Sequence, residues 1–326
     1  MKKKILWLLV IVFSGLFLFS GYRIVTIINS YKQEKETYKT AEETYTKRKD
    51  GKKIDTEEAS IPYFSDMFRF YDPFFAREEM ESDAWKALLR RMKEREKALS
   101  EDTDDPEELK KKQEAYRTDF DIPSDLPVYP SPGESPLYID WPALHRVNTD
   151  IMGWVYVEAL PQISYPILQG PNDAYYVHLT YDLKPSNAGC IFMSYLCRPD
   201  FSTPHTLIFG HNINNGTMFS PLYAHRGDGT FVNNPYIWIM TEKADYCYQI
   251  FSIFEVPRNS EAFMIHHSSN EAFADFAKTL LARGSWYRNT SVSLDKDDHV
   301  ISLVCCVPNT YNRCVLSAVR VKEVKN

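Results

Sequence analysis

"VISLVCCVPNTYNRCVLSAVRV", residues 300–321, decides the fold. Two apolar runs flank a short polar turn, and Pro308 stops the first run from continuing as a central strand. The pattern is a β-hairpin with strands at 299–305 and 314–321. Side chains along a strand alternate between faces. Ile301, Leu303 and Cys305 then share one face, and Val300, Ser302, Val304 and Cys306 share the other. The Ile/Leu face is the better core face, so Cys305 is read as a buried, inert thiol. Cys306 falls at the strand end, where reactive groups tend to sit. A single bulge would exchange the two. Arg313 opens the returning strand, and hairpin pairing would bring it back beside Cys306.

Six further strand candidates precede the hairpin, at 151–157, 163–169, 189–193, 206–210, 236–241 and 246–256. Eight short strands with turns between them predict an all-β barrel or sandwich. One clear helix interrupts them. Ser269 or Asn270 can cap it, Phe273, Phe276, Ala277, Leu280 and Leu281 form its apolar stripe, and Gly284 can end it. A shorter helix near 140–148 opens the domain.

Upstream the texture is different. Lys2, Lys3 and Lys4 precede an apolar run over 5–19 that weakens toward Ile28. That length can span a bilayer, and the lysines are expected to stay on the cytoplasmic side. No small-x-small cleavage site follows, which favours an uncleaved single-pass anchor over a signal peptide. Residues 31–60 are charged and read as a solvated stalk. Residues 61–75 are strongly aromatic, 82–99 have the pattern of an amphipathic helix, 101–117 are charged again, and five prolines stiffen 121–136. The expected organisation is therefore an anchor over 1–30, a charged extracellular spacer over 31–136, and a catalytic domain over 137–326.

A hydrophobic content of 44% supports a sizeable core, and a net charge of −6 leaves no basic footprint for nucleic acid. The six cysteines show neither a CxxC pair nor zinc-ligand spacing, so most are read as small buried hydrophobes. A nucleophilic cysteine needs a proton-transfer partner. Among eight histidines, His211 in "TLIFGHNINNGTMFSPL" directly follows an apolar run and the glycine Gly210. His266-His267 competes but lies in a polar loop. His205, after Pro204, is read as a turn residue. Taken singly, His211 also fits a loop histidine bonded to backbone, and Arg313 a surface arginine.

Three segments together resemble sortases, the membrane-anchored cysteine transpeptidases of Gram-positive bacteria. The family's cysteine follows a Thr-Leu-x-Thr-Cys strand end, here Ser302-Leu303-Val304-Cys305-Cys306, with Cys305 in the place of a threonine. Its histidine follows a short strand in a Gly-His pair, here Gly210-His211, and its arginine opens the last strand, here Arg313. "IDWPALHRVNTDIMGWVYV", "ISYPILQGPNDAYYVHLTYD" and "GHNINNGTMFSPL" are similar to class B members. The resemblance covers 137–326. Residues 31–136 are longer than the class usually carries, and the turn between Cys306 and Arg313 is short.

The resemblance implies a mostly-β fold, a closed eight-stranded sortase-type barrel with peripheral helices. It implies Cys306, His211 and Arg313 as catalytic residues, with no metal or organic cofactor. The implied partners are secreted proteins with a C-terminal sorting signal, and an acceptor amine from peptidoglycan or a pilin lysine. Membrane lipid would hold the N-terminal helix, and nucleic acid is not expected. Two alternatives stay open: a cell-wall cysteine hydrolase, and a membrane-anchored β-domain whose thiols are only structural. A cysteine L,D-transpeptidase lacks its Ser-His-Gly-Cys motif here.

Overall fold

The computed structural model describes residues 2–51 and 132–326; the side chains of 2–18 and 233 lie outside that description. The aromatic segment 61–75, the helix expected at 82–99, the charged run 101–117 and most of the proline segment fall outside the described residues.

Helix α1, Lys2–Tyr45, leads into strand β1, Thr46–Arg48. The chain returns as β2, Leu137–Ile139, antiparallel to β1, with Thr46 opposite Ile139 and Arg48 opposite Leu137. Helix α2, Trp141–Val147, starts at Asp140, whose carboxylate accepts from the Ala143 amide, with Pro142 in its first turn. There follow β3 (Ile151–Val157), β4 (Leu160–Leu168), β5 (Ile191–Met193), β6 (His205–Phe209), β7 (Tyr236–Met240) and β8 (Ala244–Pro257). Helix α3, Asn270–Ala282, is capped by Ser269, whose hydroxyl accepts from the Ala272 amide. Strands β9 (Tyr287–Arg288), β10 (Val300–Cys306) and β11 (Asn312–Lys325) complete the chain.

The strands form one sheet in the order β11-β10-β6-β5-β4-β3-β7-β8-β9, and β11 also pairs with β8. The sheet thus closes into a ring, with β9 attached outside it on β8. All eight expected strands are present within a few residues, and both expected helices of this region form. The interior of the ring is apolar and aromatic. Trp154 and Trp238 are fully buried, and their indole N–H groups donate to Ser164 Oγ (3.0 Å) and Glu158 Oε1 (2.6 Å). A buried indole keeps its full apolar contribution, on the order of 3 kcal/mol, only when its N–H is satisfied in this way.

Two expectations need correction. His205 is not a turn residue: it is the first residue of β6 and completely buried. The stretch from 34 to 48 is not a solvated stalk. Glu34, Tyr38, Ala41, Glu42 and Thr46 are buried, at the i, i+4, i+7, i+8 spacing of one helix face. Tyr38 stacks edge-on against Tyr165 at 5.4 Å and donates its hydroxyl to the Gly189 carbonyl. Burial pushes the Glu42 carboxyl up to about 7, against the opposing hydrogen bond from Ser164. The charged composition hid this face because only Tyr38, Ala41 and Tyr45 of it are apolar. Among the described residues, no helix is long and apolar enough to cross a membrane.

Candidate active site

Three adjacent strands bring the predicted residues to one end of the ring. β10 runs parallel to β6, with Val304 opposite Phe209, and the Gly210 amide donates to the Val304 carbonyl at 3.0 Å. β10 and β11 are antiparallel, with Cys305 opposite Cys314 and Cys306 directly opposite Arg313. The step after β6 is tied to the end of β10, because Asn212 Nδ2 donates to the Cys306 carbonyl at 2.9 Å. His211 therefore leaves its strand beside Cys306.

The glycine before His211 is required by space. A Cβ on Gly210 would lie 2.5 Å from Ile191 Cδ1 and 2.6 Å from Phe219 Cδ2. The loop beyond closes back on itself, since the Phe219 amide donates to the His211 carbonyl at 2.9 Å. The turn between β10 and β11 places Asn309 at φ 59°, a left-handed position that asparagine tolerates better than most residues.

The two neighbouring thiols differ. Cys305 is 2% exposed, and its thiol shares a hydrogen bond with Cys314. That bond first, and burial second, raise its pKa well above that of a free thiol. Cys306 is half-buried and all six cysteines are free. The alternation argument thus assigned the right burial, but for an incomplete reason. Every residue from Val300 to Cys305 is buried, on both faces, because the ring fills one side and other segments cover the other. Exposure begins only at the strand's end.

His211 Nε2 is 2.9 Å from the Val177 carbonyl, which can only accept, so Nε2 carries the hydrogen and Nδ1 is left for the cleft. Burial pulls the His211 pKa below the ordinary histidine value. The Val177 bond and the Glu34 carboxylate oppose that shift, while His178 and Arg313 add to it. The His178 ring stacks on His211 at 5.9 Å and 23°. Arg313 is half-buried, and its Nη1 donates to the carbonyls of Asn312 (3.0 Å) and Tyr311 (3.4 Å) in its own turn. None of the three side chains hydrogen-bonds another in this state.

Sequence reasoning missed Asn212, His178 and Glu34. Asn212 carried a signal, two positions past a strand-ending glycine. His178 sat unremarked in "AYYVHLTYD". Glu34 had no local signal, because residues 31–60 had been read as a solvated stalk. His266 and His267 lie elsewhere, with His267 packed on Phe273 and Phe276 of α3. Among the described residues no group of histidines, cysteines and carboxylates could hold a metal ion.

No family model matches the chain. Sortase B of Listeria monocytogenes is 28% identical over 163 residues, which are 50% of this chain and 65% of that protein. The chain is similar to the class B sortases over half of its length. The aligned part spans slightly less than two-thirds of that relative's length. The fold agrees: sortase B of Clostridium perfringens superposes with a TM-score of 0.52 at 22% identity, covering 56% of this chain and 99% of that one. A Staphylococcus aureus sortase B–substrate complex gives 0.52 at 22%, covering 56% and 84%. The sortase-like part thus takes up little more than half of the chain.

Proposed function

We propose that the chain is a cysteine transpeptidase that cleaves a C-terminal sorting signal and passes the acyl group to an amine. The observation carrying this reading is the meeting of Cys306, Arg313 and the Gly210-His211 step at one end of three adjacent strands.

His211 takes the Cys306 proton at its free Nδ1, and the resulting thiolate attacks the carbonyl after the threonine of the signal. Arg313 exchanges its turn carbonyls for the developing oxyanion; losing such a donor costs about 10²–10³ in rate. The tetrahedral adduct collapses as the C–N bond breaks, and His211 gives its proton to the leaving amine. A thioester on Cys306 and a neutral His211 remain. An acceptor amine then attacks the thioester, His211 takes its proton, and the thiolate leaves. The acceptor is a peptidoglycan amine or a pilin lysine. The lysines at 2–4 and the apolar run behind them support an anchor in the cell membrane, with the catalytic domain outside. Anchoring would raise the effective concentration of emerging substrates.

The test is intact mass spectrometry of the chain incubated with sorting-signal peptides. A thioester adduct is expected for the parent and for Cys305→Ala, and none for Cys306→Ala. An adduct lost only in Cys305→Ala would overturn the assignment of the nucleophile.

A further inference from the structure

A cavity of about 340 Å³ lies between α1 and the loop over 178–187, walled by Ser30, Gln33 and Glu34 on one side and His178, Ser186 and Asn187 on the other. The mechanism above does not use it. We propose that this cavity is the acceptor subsite, in which the Glu34 carboxylate binds the primary ammonium group of the incoming amine. The proposal rests on the transpeptidase reading and adds to it where the second substrate docks.

Glu34 is 6% exposed, an unusual place for a carboxylate. Its Oε1 accepts three hydrogen bonds, from Ser30 Oγ (3.1 Å), Ser186 Oγ (3.2 Å) and the Asn187 amide (3.2 Å). Its Oε2 is buried and meets no donor. A carboxylate offers about four acceptor positions, and a buried one left bare on one side is costly. None of the salt bridges among the described residues involves Glu34. The nearest candidate, Lys184, also borders the cavity, but its Nζ lies 2.6 Å from Asp182 and its side chain is mostly exposed. The missing partner is therefore a cation with several N–H donors that reaches the cavity from outside.

The chemistry next door says which cation. His178 lines the cavity and stacks on His211, so the cavity lies one ring from the proton-transfer residue. An acceptor amine arrives in water as an ammonium ion and cannot attack until it loses a proton. After acylation His211 is neutral and can take that proton as the new C–N bond forms and the C–S bond breaks. A carboxylate that concentrates the ammonium form beside a neutral histidine suits that step. The remaining wall mixes the hydroxyl and amide groups of Thr37, Gln33 and Asn187 with the Pro185 ring, so it can pack a peptide backbone as well as bond to it.

The test uses the full chain in micelles, with triglycine as the amine probe and Glu34→Gln as the variant. Glutamine keeps an oxygen for the three Oε1 donors and removes the charge. Two readouts are needed. In the first, triglycine is titrated into unacylated enzyme and the His178 ring is followed by NMR. The His178 signal is expected to shift with triglycine, to stay fixed with N-acetyl-triglycine, and to lose its response in E34Q. In the second, transfer is followed by steady-state kinetics, because Glu34 also holds up the His211 pKa and its loss slows both half-reactions through that residue. In E34Q the KM for triglycine is expected to rise about tenfold or more, the usual effect of one charged hydrogen bond, while the KM for the sorting-signal peptide stays at the parent value. An unmoved His178, equal shifts with the acetylated probe, an unchanged KM for triglycine, or an equal rise in the KM for the sorting-signal peptide would each overturn the proposal. If the parent forms no thioester at all, the transpeptidase reading fails, and the NMR arm alone decides whether the cavity binds an ammonium group.

Discussion

The strands β6, β10 and β11 carry a histidine and a nucleophile-type side chain at both ends of their shared ladder. At one end His205 Nε2 lies 2.9 Å from Ser302 Oγ, which in turn lies 2.9 Å from Ser317 Oγ. Its Nδ1 donates to the Met264 carbonyl at 2.7 Å. At the other end His211 and Cys306 make no hydrogen bond to each other. By bond geometry alone the first pair is the better catalytic dyad. It is the wrong choice, because His205, Ser302 and Ser317 are all fully buried and every polar atom is already committed. The second pair is half-exposed, with His211 Nδ1 and the Cys306 thiol uncommitted. A fully satisfied buried network holds strands in register, whereas chemistry needs valences left open at a reachable place.

The largest effect that can break this comparison is at the open end. Arg313→Ala should lower the acylation rate by about 10²–10³, since the proposed oxyanion donor is lost. Its melting temperature should barely move, because the guanidinium only caps its own turn. Ser302→Ala should do the reverse, leaving the rate intact while lowering stability. If Ser302→Ala abolished acylation and Arg313→Ala did not, the two ends would have been assigned the wrong way round. Steady-state kinetics and thermal melts on the pair of variants decide it.

A smaller effect belongs to the closed end and is read through pH. Burial, more than anything else, lowers the His205 pKa from 6.5 to about 4. Between those values the unfolded chain binds a proton that the native chain refuses. The contribution of this residue should therefore fall as pH drops from about 6.5 toward 4, by up to on the order of 3 kcal/mol, while Glu42, raised to about 7, runs the other way over much of the same range. Burial lowers the His211, His267 and His299 values as well, so their contributions run in the same direction as that of His205. Urea melts across this range, on the parent and on His205→Asn, isolate the share of His205 as a difference in slope. An unchanged slope would mean that His205 is charged in the native state.

How much of this was legible beforehand follows from range. The eight ring strands and α3 were readable because each has its own period and its own turn residues. The pairing of Cys306 with Arg313 was readable because a hairpin is local. His205 was misread because its partners, Met264 and Ser302, are 59 and 97 positions away. The part of α1 from Glu34 onward was misread for the same reason. The surface that covers Tyr38 is made by Tyr165, Tyr181 and Gly189, and nothing near residue 38 announces it. The sortase pattern named the three site residues, but Glu34 lies in a segment where that pattern has no counterpart.

The approach to the open end can be tested at Gly210. Alanine there forces its methyl into the Phe219 ring, and such overpacking costs about 1–3 kcal/mol. The displaced element is the step that carries His211, so the rate should suffer alongside stability. A Gly210→Ala protein that loses stability but keeps its full rate would mean that the position of His211 tolerates the shift, and that the residue matters less than its place suggests.

The smallest effect is expected at Cys305, one residue from the proposed nucleophile. Threonine here restores the residue that the sortase pattern carries. Its hydroxyl can donate to the Cys314 sulfur as the thiol does, and a β-branched side chain suits a central strand. Stability should change by less than about 1.5 kcal/mol, the usual range for a swap that nearly conserves volume. The rate of thioester formation should not change, because the Cys305 thiol is held protonated by Cys314 and by burial and never reaches substrate. This near-silence is the sharpest form of the comparison between closed and open groups. Two adjacent cysteines on one strand would differ by the whole of catalysis, with accessibility as the difference between them. A tenfold or greater fall in rate for Cys305→Thr would show that the buried thiol pair acts on Cys306, and that the boundary between the two ends does not lie between these residues.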